Sequence, residues 1–113
     1  MRDGLLDTGA DDTVFSDTVA SAMGIDLSKA EHRFVGLAGR PRPLSCYFAR
    51  ILLRISDGVE TFEWPATVGF VAGKLHYSLL AQAGFLQFFS ADFDGEGHVV
   101  TLTPKPSFPG RVI

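Results

Sequence analysis

Three aspartates near the start of the 113-residue chain are its most chemically suggestive residues. Asp7 directly follows the apolar pair Leu5-Leu6, and Asp11 and Asp12 come shortly after it. The whole segment reads Leu5-Leu6-Asp7-Thr8-Gly9-Ala10-Asp11-Asp12-Thr13-Val14. A bare Asp-Thr-Gly occurs by chance in many chains, whereas a ten-residue run of this kind after an apolar strand rarely occurs by chance. Asp7 is therefore the leading catalytic candidate.

Hydrolysis of an amide without a covalent intermediate needs a base to activate water and an acid to protonate the leaving nitrogen. Two carboxylates held close together can do both, because neighbouring like charges cannot both ionise and the pair shares one proton. The titration then belongs to the pair and not to either residue. The chain offers only Asp7 in this context, so the second carboxylate must come from another copy. This predicts a symmetric homodimer with Asp7 facing its own copy across a two-fold axis.

The segment resembles, almost letter for letter, the catalytic segment of retroviral aspartic proteases and their bacterial retropepsin-like relatives. The resemblance implies an aspartic-type endopeptidase acting on polypeptide substrates, with Asp7 as the catalytic carboxylate. Thr8 would lock the two catalytic loops together across the axis, and the Gly9 carbonyl would accept a substrate amide. Asp11 and Asp12 map to positions that hold the substrate. From the residues alone, Asp11 could instead be a turn carboxylate bonded to backbone amides.

A second resemblance concerns Phe34-Val35-Gly36-Leu37-Ala38-Gly39, which lies about where the family has its glycine-rich flap. A flap bends over the substrate and excludes water, and glycine permits the backbone angles that this requires. The resemblance therefore assigns Gly36, Leu37, Ala38 and Gly39 to substrate binding. The alternative is an ordinary hairpin tip.

A third resemblance lies after Leu79-Leu80, where the family typically shows Gly-Arg-Asp or Gly-Arg-Asn and then a short helix. Here Ala81, Gln82 and Ala83 occupy those positions. The family's arginine pairs with the acid mapped to Asp11, and a glutamine can offer only a weaker, uncharged hydrogen bond. The resemblance covers roughly residues 5–94 and is strong only over the first ten. This departure keeps a second hypothesis open: a catalytically weak or inactive retropepsin-fold module for dimerisation or binding.

The elements that must position the motif are mostly strands. Residues 47–55 alternate with period two, which predicts a long strand, and Asp57-Gly58 is a strong hairpin signal. Residues 59–71 should return as a strand that Pro65 interrupts or bulges. Residues 77–80 are typical of a buried strand.

The remaining elements are shorter. Ser16 can cap a short helix through Met23, with Gly24 ending it. Residues 81–89 have helical spacing, and residues 91–94 and 98–103 form a predicted hairpin. The resemblance implies an all-β fold, a retropepsin-like closed β-barrel half with one or two short helices. The protease domain would span residues 1–104, followed by an irregular tail over residues 105–113.

Composition excludes several classes of function. The net charge is -3 and the basic residues are scattered, unlike the basic stripe of a nucleic-acid-binding protein. The single cysteine, Cys46, cannot form an internal disulfide and is typical of a packing residue on a strand. His32, His76 and His98 lack metal-ligand spacing, so we expect no metal and no cofactor. No apolar run approaches the ~20 residues of a membrane span, and the default expectation is a cytoplasmic protein.

The start of the chain is short for the resembled family, which has further strands before its catalytic loop. Only six residues precede Asp7, and residues 2–6 are typical of the end of a hairpin already in progress. We therefore expect that the first strands are missing because the chain is a fragment or because its start codon was placed too late. The alternative is a domain that has lost those strands. Their removal would leave a costly unpaired sheet edge. On this expectation the present form dimerises weakly and has low activity, and the localisation of the complete protein stays unknown.

Overall fold

Strands dominate the fold. The computed structural model describes residues 4–37 and 39–113. Strands hold 50% of the residues and helices 9%, and the main sheet curls into a half-barrel, which confirms the predicted all-β class. The strands are β1 Gly4–Leu6, β2 Val14–Ser16, β3 Glu31–Val35, β4 Leu44–Ser56, β5 Thr61–Val71, β6 Ser78–Leu80, β7 Phe89–Asp94, β8 Val99–Pro104 and β9 Arg111–Val112. Helix α1 spans Asp17–Met23, and a 3₁₀ turn spans Leu86–Phe88.

The seven-stranded sheet has the order β1-β6-β2-β5-β4-β3, and β9 also pairs with β5. β3, β4 and β5 form an antiparallel meander. At the other end, β6 lies between β1, to which it is parallel, and β2, to which it is antiparallel. β7 and β8 form a separate two-stranded sheet. The loop from β1 to β2 must therefore pass the end of β6, and this loop carries the Asp-Thr-Gly motif.

The long β4–β5 hairpin follows from its sequence pattern, and its turn uses the predicted Asp57-Gly58 pair. The amides of Val59 and Glu60 donate to the Asp57 carboxylate at 2.8 and 2.7 Å. Gly58 has a φ of 91°, a left-handed conformation that glycine adopts without steric cost. The hairpin therefore begins from a turn that its own sequence specifies.

The predicted interruption at Pro65 is wrong, because β5 runs unbroken through it. The Thr61 carbonyl accepts from Ile113, and the Gly69 amide donates to Thr13, so both backbone groups point away from β4. Pro65 lies at the same parity along the strand. Its missing N–H therefore costs no hydrogen bond to β4.

Helix α1 is confirmed with both predicted caps. The Ser16 side chain accepts from the Thr18 amide at 3.3 Å, and Gly24 ends the helix with a φ of 69°. The helix predicted over residues 81–89 is only the 3₁₀ turn, since Phe89 already begins β7. The 91–94 and 98–103 hairpin is confirmed as β7 and β8.

The core has two buried clusters. In the larger, Trp64 is fully buried and contacts Phe85 and Phe89 with ring centroids 5.4 Å away in both cases. The smaller consists of Val14, Cys46, Phe48 and Val71. Burial raises the pKa of the Cys46 thiol to about 11, so it remains protonated and serves as a packing residue, as predicted.

The tail predicted to be irregular has no helix or strand over residues 105–110, and it packs against the core. Phe108 lies 5.6 Å from Trp64 and 5.4 Å from Phe89 between ring centroids. Arg111 and Val112 form β9 against the start of β5. The contacts of the half-buried Phe108 with the larger core cluster hold the segment in place.

A buried carboxylate links the tail to the hairpin. Glu63 is only 6% exposed, and Arg54 donates to it at 2.7 Å while Arg111 donates at 3.3 Å. The hydrogen bonds from Arg54, supported by the one from Arg111, outweigh burial and lower the pKa of Glu63.

Replacing Glu63 by Gln should reduce the free energy of unfolding at neutral pH. Because the folded-state pKa is lowered, the ionised carboxylate stabilises the fold above its unfolded pKa, about 4.3, and this stabilisation is lost as the pH falls through the folded value. Urea unfolding from neutral to acidic pH should show the gap between wild type and Glu63→Gln narrowing below about pH 4. Exposed Glu60→Gln is the control and should show no such gap. A gap that stays constant on acidification would contradict this role.

Candidate catalytic loop

The Asp-Thr-Gly motif forms a tight turn directly after β1. The Asp7 amide donates to the Leu80 carbonyl at 3.0 Å, which extends the pairing of β1 with β6 by one residue. The Asp7 carbonyl accepts from Ala10 at 3.3 Å, and its carboxylate oxygen Oδ1 accepts from the Gly9 amide at 3.0 Å. The carboxylate is thus oriented by its own turn. Asp7 is half-buried, and no basic side chain of the described residues forms an ion pair with it.

The rest of the loop is bonded to the segment that follows β6. The Ala83 amide donates to the Asp11 carbonyl at 2.8 Å, and the Thr13 amide donates to the Ala83 carbonyl at 3.2 Å. These reciprocal bonds flank Asp12, which forms an isolated parallel bridge with Ala83. The Ala81-Gln82-Ala83 segment thus supports the loop through its backbone, although its side chains differ from those of the resembled family.

Thr13 is a structural residue that the sequence interpretation missed. Its side chain is 1% exposed, and its hydroxyl oxygen accepts from the Ala81 amide at 3.1 Å. Its carbonyl accepts from the Gly69 amide at 2.9 Å. Thr13 therefore joins the loop both to the end of β6 and to β5. The only sequence signal was a threonine between an acidic turn and an apolar strand.

Thr8 and Gly9 are exposed at the tip of the turn. Within the described residues, the Thr8 hydroxyl has no hydrogen-bond partner. A Cβ at position 9 would meet its nearest neighbour, Asp7 Oδ1, at 3.5 Å, which is ordinary contact. The folded chain itself therefore has room for a larger residue at Gly9.

Asp11 and Asp12 differ in their surroundings. Asp11 is exposed, and in the described ranges its carboxylate accepts no backbone hydrogen bond, so the turn-capping alternative has no support there. The Asp12 carboxylate lies 3.8 Å from the Arg33 guanidinium. Gln82, which stands where the resembled family has arginine, is exposed and donates its backbone amide to the Ala10 carbonyl.

Of the predicted flap residues, Gly36, Leu37 and Gly39 are described, and Ala38 lies outside the described residues. Leu37 packs against the smaller core cluster, which also receives Leu79 of β6. The Leu37 carbonyl accepts from the Arg40 amide, and the Arg40 guanidinium donates to the Lys74 carbonyl at 2.9 Å. This segment and the catalytic loop therefore border the same cluster.

In a single chain the catalytic loop starts from an edge of the described sheet and not from its centre. β1 is at one end of the described sheet, so the loop leads inward from an edge. Two grooves on the surface are formed by other residues, although Asp12 lines one of them.

Comparison of the chain with protein-family models, curated proteins and solved structures gave no match. Across residues 4–37 and 39–113, no three His, Cys, Asp or Glu side chains gather into a group that could hold a metal ion. Within those same ranges, no helix has the length and apolar character needed to cross a membrane.

Replacing Thr13 by Val should destabilise the fold by about 1–3 kcal/mol, because the buried Ala81 amide loses its acceptor. Thr13→Ser is the matched control, since it keeps the hydroxyl, and it should cost less. Urea unfolding measures both variants, and amide hydrogen exchange at Ala81 should accelerate only in Thr13→Val. Equal stability of the two variants would contradict this role for the hydroxyl.

Proposed function

We propose that this chain is one half of an aspartic-type endopeptidase with a retropepsin-like fold, in which two Asp7 carboxylates of a homodimer activate a water molecule. The observation that carries the proposal is the turn of the motif itself. One oxygen of Asp7 is fixed by the Gly9 amide, while the side chain stays half-exposed and free of ion pairs within the described residues. A carboxylate held in this way has a fixed orientation, and no basic side chain of the described residues is paired with it.

The reaction needs no group beyond the two carboxylates and water. In the dimer one Asp7 is ionised and takes a proton from the water as it attacks the substrate carbonyl. The other Asp7 is protonated, because like charges at close range share one proton. This second Asp7 gives its proton to the leaving nitrogen as the C–N bond breaks, which yields a carboxylic acid and an amine. The pair again holds one proton, now on the Asp7 that took it from water, and is ready for another substrate.

The exposed tip of the turn supports the dimeric arrangement. The Thr8 hydroxyl, which has no partner in the described part of the chain, is available to bond its counterpart across the axis. β1 lies at the end of the described sheet, and its Leu5 side chain is 50% exposed. Gly9 leaves space that the folded chain does not require, which suits the close approach of a substrate backbone.

Substrate binding in this proposal uses the residues beside the turn. The exposed Asp11 carboxylate can accept hydrogen bonds from main-chain amides of a bound peptide. The Asp12 carboxylate can contact a side chain of the same peptide. Of the predicted flap, the described residues Gly36, Leu37 and Gly39 would cover the substrate. Because Leu37 shares a core cluster with Leu79 next to the loop, movement of this cover would be coupled to the loop.

One observation favours the second hypothesis, a binding or dimerisation module that does not cleave. Asp11 has no arginine partner from position 82, and the weak contact of Asp12 with Arg33 does not replace that pairing. Charge-assisted bidentate contacts are about twice as strong as neutral hydrogen bonds, so the substrate-binding side of the loop is less firmly held.

In the active dimer, Asp7→Asn should lower peptide cleavage by about a hundredfold or more while the fold stays intact, because an amide cannot act as a base or carry the shared proton. Cleavage of a broad peptide library read by mass spectrometry measures the loss. Asp92→Asn, an exposed change on β7, is the control and should keep full activity. Retained cleavage in Asp7→Asn would place the chemistry elsewhere.

Specific activity should fall on dilution, because each monomer holds half of the catalytic pair. Sedimentation velocity at the same concentrations should show the dimer dissociating in parallel. Thr8→Ala should move both transitions to higher concentration. Full activity at concentrations where only monomer sediments would rule out the shared site, and a tight dimer that cleaves no library peptide would favour the binding module.

A further inference from the structure

A groove of about 320 Å³ lies beside the candidate catalytic loop. Its lining includes Asp12 of the loop, Ala83 and Gly84 of the segment after β6, and residues of β3, β4 and β5. Arg33, Arg50 and Asp12 are the charged residues that line the groove, and Arg33 is paired with Asp12 and with Glu31 outside the groove. Arg50 forms no ion pair within the described residues, so an anionic ligand would be attracted chiefly to Arg50.

Arg33 is held in place without being saturated. Its guanidinium carbon lies 3.9 Å from the centre of the Phe48 ring, and its Nε lies 3.1 Å from the Glu31 carboxylate. The contact with Asp12 is 3.8 Å, longer than a direct charge-assisted hydrogen bond. Because a guanidinium has five N–H donors, Arg33 retains donors for a further acceptor.

Arg50 has no partner within the described residues. It is exposed on β4, opposite Thr67 in the strand register, and it enters no ion pair or hydrogen bond with a described side chain. Phe88 and Pro65 add apolar surface to the same groove. A guanidinium beside apolar side chains can bind a carboxylate whose methylene groups pack on those side chains.

We propose that this groove binds the carboxylate of a glutamate side chain in an extended polypeptide, with Arg50 as the principal ligand and Arg33 as the second donor. The methylene groups of the glutamate pack on Phe88 and Pro65. Asp12 belongs to both the groove and the motif segment, so a peptide passing Asp7 can reach it. A role of the groove in substrate selection rests on the proposed peptidase function, whereas binding of a glutamate side chain by the groove does not.

The test is an NMR titration of the full chain with N-acetyl-glutamate N-methylamide, followed at the backbone amides of Thr67 and Gly84. The neutral glutamine analogue and inorganic phosphate are titrated in parallel. Arg50→Gln should weaken binding of the glutamate probe about threefold to tenfold, the range expected for a partly exposed charge pair. Lys29→Gln removes an equal charge from an exposed site outside the groove and should leave binding unchanged.

Each outcome decides the proposal. Binding of the glutamate probe at these amides that is lost with its glutamine analogue and weakened by Arg50→Gln supports it. Equal binding of both analogues, or equal weakening by Arg50→Gln and Lys29→Gln, overturns it, and tighter binding of phosphate assigns the groove to a phosphate instead. The same titration of Asp7→Asn should be unchanged, so failed cleavage with intact probe binding counts against the peptidase and not against the groove.

Discussion

The hydrogen bonds between the loop that precedes β2 and the segment that follows β6 are the interactions on which the candidate site depends. β1 has only three residues, so its own pairing contributes few hydrogen bonds that fix the position of Asp7. Thr13 compensates with bonds to Ala81, Ala83 and Gly69, the last of which belongs to the long strand β5. The loop is thereby attached to the most extensive pairing in the sheet. Such backing is what a reactive group needs to keep its geometry.

Two carboxylate–arginine arrangements in this fold illustrate different uses of charge. Glu63 is buried, and each of its carboxylate oxygens accepts from an arginine. Both ion pairs are structural, because they join the tail to the hairpin. Asp12 is partly exposed and stands at a long distance from Arg33. Exposed pairs contribute little to stability, so this second contact is free to change when a ligand arrives. The burial of Glu63 and its short contacts with arginine mark a structural ion pair. The partial exposure of Asp12 and its longer distance from Arg33 leave that pair available to a ligand.

Strand periodicity and turn residues in the sequence predicted the elements that depend on interactions between residues close together in the chain. The period-two pattern and Asp57-Gly58 gave the β4–β5 hairpin, and the motif gave the position of the Asp7 turn. The unbroken path through Pro65 and the ordered Phe108 depend on neighbouring strands and core contacts. Thr13 bonds an amide 68 residues away, a contact no local pattern reveals. The partner of Asp7 would belong to another molecule, beyond what a single sequence describes.

Trp64 gives the molecule an optical property of its own. It is the only tryptophan in the chain, its ring is fully buried, and its indole N–H donates to the Gly84 carbonyl at 2.9 Å. An indole in apolar surroundings emits at shorter wavelength than one in water. Because Gly84 adjoins Ala83, which is bonded to the loop, we expect the emission to respond to detachment of the loop as well as to changes in the core. Intrinsic fluorescence can therefore follow the candidate site without any added label.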